Sequence, residues 1–380
     1  MNLAISPKTK SVVVPYRKDV ATLLPEAQRS GSHLIVNHGV VETKLLRNMG
    51  MEVPAPILTQ YQWANTKPFD SQRVTAAMFT NSPRAYCLSE MGVGKSRAGL
   101  YAYDFLRQEK IVKKMLIVAP LSTLVDVWER EIFASFYHLN CAVLHGTREQ
   151  RLLSLSRDVD IYIINPDGIK IIGTELINKK FDVVIIDELA EYRNANTDRW
   201  KAMNALVNST TWLPHFVWGL TGSPTPNGPT DAFGQVKLLT PENIARSFRT
   251  FQRQIMHQIS TFKWLPKPGA NDIVAAAMKP SVRFSIDEHD LPETTYSSRH
   301  APLTAAQKRL YEQMLRHFKM ELAGQQIVAL NEGVKLTKLL QISAGFAYTK
   351  DKGVHINAKE RMKVVLELIE QSERKVIVFA

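Results

Sequence analysis

The stretch LSEMGVGKSRAGL, residues 88–100, decides how the rest of the chain is read. Its centre is Ser89-Glu90-Met91-Gly92-Val93-Gly94-Lys95-Ser96. It follows the apolar run AYC and opens into a helical pattern, SRAGLYAYDFLRQE. A loop that cradles phosphate needs inward-pointing backbone N–H groups, small residues where the backbone crowds the anion, and a cation. Gly92 and Gly94 supply the room, with Met91 and Val93 between and beside them. Lys95 is placed to reach the β- and γ-phosphates, and the Ser96 hydroxyl to ligate Mg²⁺. ATP with Mg²⁺ is the ligand implied. The first position of the G-x-x-x-x-G-K-[ST] pattern is Ser89 here, small but not glycine.

Outward from this loop, short apolar runs alternate with helical patterns from about residue 84 to 240. MLIVAP, CAVLHG, DIYIINP, FDVVIIDE and HFVWGLTGSP are short, rich in β-branched residues and bounded by turn residues, as buried parallel strands are. The helical pattern TLVDVWEREIFASF falls among them. Such alternation predicts an α/β fold, a parallel sheet with helices on both faces. Residues 1–66 form an accessory region with strand-like SVVVPY and HLIVNHG and helix-like VETKLLRNMG, closed by the Pro-punctuated EVPAPI. Residues 67–240 form the phosphate-binding lobe. Residues 241–300 mix basic helical segments with Pro-rich turns, and 303–345 read as long helices. NAKERMKVVLELIEQSERKVIVFA reads as one helix and one strand.

In a parallel α/β sheet, ligands bind beyond the C-terminal ends of the strands. VVIIDELA puts Asp187 and Glu188 there. Asp187 is positioned to hold the metal and Glu188 to act as general base. Asp-Glu at a strand end also serves as a helix cap, and it is the phosphate loop upstream that favours catalysis. WGLTGSPTPN presents Thr221 and Ser223 at another strand end, and a lone turn of this kind is equally a Pro-rich turn with satisfied hydroxyls. APLSTLVDVWERE places Ser122 and Thr123 where they either hold an anion or cap a helix. Asn165, in INPDGI, is a weaker signal of the same kind. Arg246, Arg249, Arg253, Lys263, Lys267, Lys279 and Arg283 interleave with Phe248, Phe251, Phe262 and Trp264. That pattern tracks a nucleic-acid backbone or forms an amphipathic helix with a solvated basic face.

The bulk numbers agree. At 380 residues the chain exceeds one typical domain. Its 48 Lys and Arg against 36 Asp and Glu give +12, which suits a polyanionic partner. Cys87 and Cys141 fit neither a disulfide framework nor a metal site and read as reduced, buried thiols. MNLAISPKTK is not a secretory signal, and no run approaches the roughly 20 apolar residues of a membrane span. A cytoplasmic protein without membrane contact is expected.

In order, FDSQR, EMGVGKS, APLSTLVDVWEREI, INPDGI, DELA and LTGSPTPN resemble successive motifs of superfamily 2 helicases. The likeness is to the Snf-type branch of ATP-dependent DNA translocases, and HGVVETKLLRNMG, RNANTDRWKAMNAL and KLLQISAGFAY resemble its phage and prophage members. The resemblance runs from about residue 35 to 380. It implies a RecA-like lobe, a DNA-dependent ATPase, double-stranded DNA as partner, and a bacterial host cytoplasm. It also implies that Gln72 reads adenine and that Pro120, Leu121, Ser122 and Thr123 grip a DNA strand by its phosphates. Asn165 makes a second strand contact, and Thr221, Gly222 and Ser223 couple hydrolysis to DNA movement. MKPSVRFSIDEHDLPETT resembles the family's segment after its helical insertion, which makes 241–345 the insertion and interlobe region.

Two departures stand out. The family often has Asp-Glu-Ala-His where this chain has Asp-Glu-Leu-Ala, and Ala190 cannot make a histidine's contacts. Family members carry a second RecA-like lobe with the arginine fingers, and residues 346–380 resemble only its start. The expectation is a fragment of a longer chain, a lobe completed by a second polypeptide, or a truncated remnant, with weak ATP binding and slow hydrolysis by these 380 residues alone. The alternative is an ATP-responsive DNA-binding or regulatory module without motor activity.

Overall fold

Four runs in which every residue is buried form the centre of a parallel sheet. In the computed structural model these are Met115–Val118 (β2), Ile161–Ile164 (β4), Val183–Ile186 (β5) and Phe216–Leu220 (β6). Arg84–Cys87 (β1), Cys141–Leu144 (β3) and Ser281–Val282 (β7) complete it. The order across the sheet is β7-β1-β6-β5-β2-β4-β3, and every neighbouring pair is parallel. The α/β expectation is met. The edge strand Ser281–Val282 comes from beyond residue 240.

Strand side chains alternate between two cores, as a period of two requires. Tyr86, Leu116, Val118, Tyr162, Ile164, Val184 and Ile186 join one core with helices Pro166–Lys179, Asp198–Val207 and Ala232–Leu239. Cys87, Met115, Ile117, Ile163, Val183, Ile185 and Trp218 join the other with helices Asp70–Asn81 and Lys95–Gln108. Both faces are therefore dry, which is why the strands read as continuous apolar runs rather than as alternation.

The structure describes residues 4–63, 67–261, 263–288, 295–322, 325–329, 331–348, 353–373 and 375–379. Phe262, most of the DLPETT stretch and Ala380 lie outside them. The chain divides into two compact units, Met1–Leu291 and Pro292–Ala380. In the first, the expected N-terminal strands pair as a four-stranded antiparallel sheet, Ala4–Ser6, Ser11–Pro15, His33–Asn37 and Gln28–Ser30 in spatial order. Its own core includes Val12, Val14, Leu34, Val36 and Leu46. Cys87 is buried and Cys141 half-buried, both free. No helix among the described residues is long and apolar enough to cross a membrane.

The second unit departs from two sequence expectations. Residues 303–345, read as long helices, hold a pair of strands as well. Helices Ala305–His317 and Glu332–Ala344 are separated by a hairpin, Lys319–Leu322 with Gln325–Val328. Phe318 ends the first helix in the left-handed region, at φ 54°, and Met320 and Ile327 turn into the unit's core opposite each other. Residues 375–379 form no strand, and Phe379 is 90% exposed. A strand needs a partner ladder, and none pairs with them among the described residues.

One close approach allows a direct test of packing. A Cβ on Gly234 would lie 2.2 Å from the Tyr192 carbonyl oxygen and 2.5 Å from that of Arg193. Gly234→Ala is expected to destabilise the first unit by about 1–3 kcal/mol, because backbone cannot yield as a flexible side chain does. Denaturant unfolding should show an earlier midpoint with an unchanged slope. An unchanged midpoint would contradict the packing described.

Candidate functional site

The sheet order brings the separate sequence motifs into one row. Five strands end side by side, in the order β1, β6, β5, β2, β4. Their following turns hold, in the same order, Ser89–Ser96, Thr221–Ser223, Asp187–Glu188, Pro120–Thr123 and Asn165. Four strand spacings separate the first from the last, roughly 19 Å at about 4.8 Å each.

The phosphate loop takes the shape its glycines permit. Gly92 and Gly94 have φ of 89° and 77°, in the left-handed region. Gly94 is the residue from which helix Lys95–Gln108 starts, so the helix's free N–H groups open toward the loop. Lys95 Nζ donates to the Glu90 carbonyl oxygen at 3.0 Å. Ser96 is partly exposed in the helix's first turn. A Cβ on Gly222 would lie 3.6 Å from both the Met91 nitrogen and the Ser89 oxygen, so the Thr221–Ser223 turn lies against the loop's backbone. Thr221 is buried; its N–H donates to the Cys87 carbonyl and its hydroxyl accepts from the Ser223 N–H.

Asp187 and Glu188 are both partly buried at the end of β5. Burial pushes the Asp187 carboxyl up from its ordinary value, while Trp128, the Glu188 N–H and Lys95 pull it back. Burial, then the Asp187 charge, push Glu188 up, and Lys95 opposes them. The Lys95 cation thus acts on both carboxylates. Glu188 sits at φ 52°, ψ 52°, an unusual conformation for a residue with a side chain and one that concentrates at functional sites. Among the described residues no three His, Cys, Asp or Glu side chains gather to hold a metal by themselves. The fit is to an ion shared with phosphate: Mg²⁺ binds through one or two carboxylates, phosphate oxygens and water. Asp187 and Ser96 are the oxygens that would hold it.

Other expected residues are placed as follows. Gln72 is 4% exposed; its Oε1 accepts from the Phe69 N–H at 2.9 Å and its Nε2 donates to the Gly94 carbonyl at 3.4 Å. Both ends of its amide therefore brace the loop and its own helix start. Leu121 and Ser122 are exposed, whereas the Thr123 hydroxyl donates to the Pro120 carbonyl within the turn. Asn165 is buried, and its Oδ1 accepts from Arg151 Nη1 at 3.0 Å. Ala190 lies in a 3₁₀ turn, Leu189–Tyr192. On helix Phe248–Ile255, Phe251 and Ile255 are buried while Arg249 and Arg253 are exposed, an amphipathic helix with a solvated basic face.

Sequence reasoning missed a strap over the loop. Beyond β7, the Glu90 N–H donates to the Phe284 carbonyl and the Phe284 N–H to Ser89 Oγ, each at 3.0 Å. Glu90 Oε2 accepts from the Ile286 N–H at 2.9 Å and the Ser285 hydroxyl at 3.0 Å, which hold its carboxyl below the usual range. Ile286 Cδ1 lies 2.9 Å from where a Gly92 Cβ would be. Serine at position 89 thus has a use that glycine lacks: its hydroxyl receives the strap. In the sequence the strap lies inside MKPSVRFSIDEHDLPETT, where nothing local marks its partner.

Comparison with known proteins agrees with this arrangement. The family model for the SNF2-related domain matches residues 83–361. The chain is 26% identical over 279 residues to protein p41 of Acyrthosiphon pisum secondary endosymbiont phage 1, covering 69% of this chain and 60% of that one. It is 25% identical over 184 residues to the ISWI chromatin-remodeling complex ATPase ISW1 of Saccharomyces cerevisiae, covering 46% and 16%. The Sulfolobus solfataricus SWI2/SNF2 ATPase core in complex with dsDNA superposes with a TM-score of 0.52 at 20% identity, over 82% of this chain and 66% of that one. That likeness gives the fold, a RecA-like α/β lobe. The chain thus spans 60% of the phage relative's length and far less of the yeast ATPase's.

Proposed function

The chain belongs to the SNF2-related domain family, and from that premise we propose that it is the ATP-binding lobe of a DNA-dependent ATPase. In this proposal it is of the Snf-type superfamily 2 kind and couples hydrolysis to movement on double-stranded DNA. The observation that carries the proposal is the row of five turns on one sheet edge, with the Thr221–Ser223 turn against the backbone of the phosphate loop.

In this scheme Lys95 and the N–H groups from Met91 to Ser96 hold the phosphates. Asp187 and Ser96 would hold Mg²⁺, which when bound neutralises charge on the β- and γ-phosphates. Glu188, raised by burial and by Asp187, takes the proton of the attacking water. Gln72, held beside Gly94 at the loop's end, makes the base contact. Leu121 and Ser122, exposed beyond β2, meet a DNA strand's phosphates, with Asn165 one strand further along. Thr221, Gly222 and Ser223 lie against the loop and relay its state. Residues 1–66 serve as an accessory region and 241–345 as insertion and interlobe region, with β7 lent to the lobe's edge. A second RecA-like lobe, in the same or a separate polypeptide, faces the γ-phosphate. An ATP-responsive module without motor activity has no chemical use for a base at Glu188, so the hydrolytic scheme is favoured.

The test is ATP hydrolysis with and without duplex DNA, by this chain alone and with a separately expressed second lobe. Duplex-stimulated turnover is expected with the second lobe. A chain that binds neither Mg²⁺–nucleotide nor duplex under low salt would overturn the proposal.

A further inference from the structure

The segment after β2 is expected from its pattern to be one regular helix, and it is not. Leu121–Thr123 is a 3₁₀ turn, Leu124–Glu129 is π-helical, and only Arg130–Ser135 is α-helical. A π turn widens the helix and is rarely kept without a local reason. Here the reason is visible at Trp128. This fully buried side chain donates its Nε1–H to Asp187 Oδ2 at 2.9 Å. The other carboxylate oxygen, Oδ1, accepts from the Glu188 N–H at 3.1 Å.

Two features make this bond more than packing. A buried tryptophan must find an acceptor for its N–H, yet this one uses a carboxylate that the phosphate site needs. An indole is a neutral donor, so it fixes the carboxylate's orientation and leaves its charge for a cation. A lysine or arginine in its place would spend that charge. The same segment is tied a second time. Arg97 Nε donates to Glu131 Oε1 at 2.7 Å, which joins the segment to the helix that begins with Lys95 and Ser96. The exposed Leu121–Ser122 turn therefore stands at one end of a short rigid path with the phosphate site at the other. Reversion of the π turn to α-helical spacing would rotate Trp128 by about 100° relative to the turn, and the bond to Asp187 could not survive.

We propose that Trp128 is a positioning residue: it orients Asp187 toward the metal and carries phosphate contact at Leu121–Thr123 to that carboxylate through the π turn. This rests on the function proposed above. Partners that orient a metal's ligands affect metal affinity by about 10- to 100-fold.

The experiment uses Trp128→Phe, which keeps an aromatic ring and removes the donor. Binding of a fluorescent ADP analogue is titrated with Mg²⁺. The half-saturating Mg²⁺ concentration is expected to rise about tenfold, with metal-free nucleotide affinity unchanged, a split that loosened packing does not produce. In parallel, the wild-type chain labelled with ¹⁵N-tryptophan reports the indole N–H resonances. The Trp128 signal is the one lost in Trp128→Phe or, should that variant not fold, the one displaced by Asp187→Asn. It is expected to shift when a short duplex is added without nucleotide. A wild-type Mg²⁺ midpoint in Trp128→Phe, or a Trp128 signal indifferent to a duplex that demonstrably binds, overturns the inference. If the wild type binds no Mg²⁺–nucleotide at all, the function proposed above fails instead.

Discussion

Glu188→Gln is expected to slow ATP hydrolysis by about 10²–10⁴-fold while leaving nucleotide affinity within roughly threefold, the range a positioned general base contributes. The substitution is nearly isosteric. It asks nothing new of the backbone, which already holds position 188 in the left-handed region at φ 52°. It removes only the proton acceptor. The case for that role rests on environment. Burial and the neighbouring Asp187 charge raise Glu188 from its ordinary value, while Lys95 keeps it from rising further. A carboxylate so placed is a stronger base than a solvated one. The measurement is single-turnover hydrolysis with duplex DNA and a second lobe, where the wild-type rate is large enough to lose. A variant that hydrolyses at the wild-type rate would remove Glu188 from the mechanism and leave the phosphate loop as a binding device only.

Lys95→Ala is expected to weaken Mg²⁺–nucleotide binding by about two orders of magnitude, because a charged hydrogen-bonding partner of the phosphates is removed from a partly buried site. Hydrolysis at saturating nucleotide should fall by a further 10²–10³-fold, the usual cost of losing one preorganised charge from a transition state. Two effects add here. The ammonium no longer meets the phosphates, and it no longer offsets Asp187 and Glu188, which then face each other and the ligand as like charges. The loop should keep its shape, since Gln72 and the strap from Phe284 to Ile286 brace it independently of Lys95. Unchanged folding stability with lost binding is therefore the expected pair of results, from calorimetric titration and thermal unfolding. Retained tight binding would show that the backbone N–H groups alone hold the nucleotide.

Much of the lobe is legible in the sequence because its information is local. The strands MLIV, IYII, VVII and FVWGL are buried on both faces, so composition alone marks them. Apart from Gln72, each candidate residue follows a strand of this sheet, so finding the strands finds the edge. What the sequence hides is pairing over distance. Nothing in SVRFSI says that it joins β1 and receives Glu90, because a two-residue strand is too short to mark a partner that lies 195 positions earlier. The Trp128 bond is hidden for a related reason: a tryptophan in a helical pattern looks like core, and it is core, until its one polar atom is followed to Asp187. Gln72 is legible as a position near the loop, but its amide partners Phe69 and Gly94 are not. The C-terminal run KVIVF shows the converse. Its residues favour a strand, and preference without a neighbour makes none.

The strap over the phosphate loop also sets an order of events at the ribosome. Glu90 meets the Ile286 N–H across 196 residues of chain. Synthesis at about 5–20 residues per second places roughly 10–40 s between the two. During that interval the nascent lobe has its helix Lys95–Gln108 and most of its sheet available, but β1 stands as an open edge and Ser89 and Glu90 have nothing to receive. An unpaired edge beside a glycine-rich loop is where a neighbouring strand or a chaperone would bind. The braced form of the loop is therefore completed late in biogenesis, and a ribosome stalled before residue 286 would present a lobe whose loop still lacks its strap.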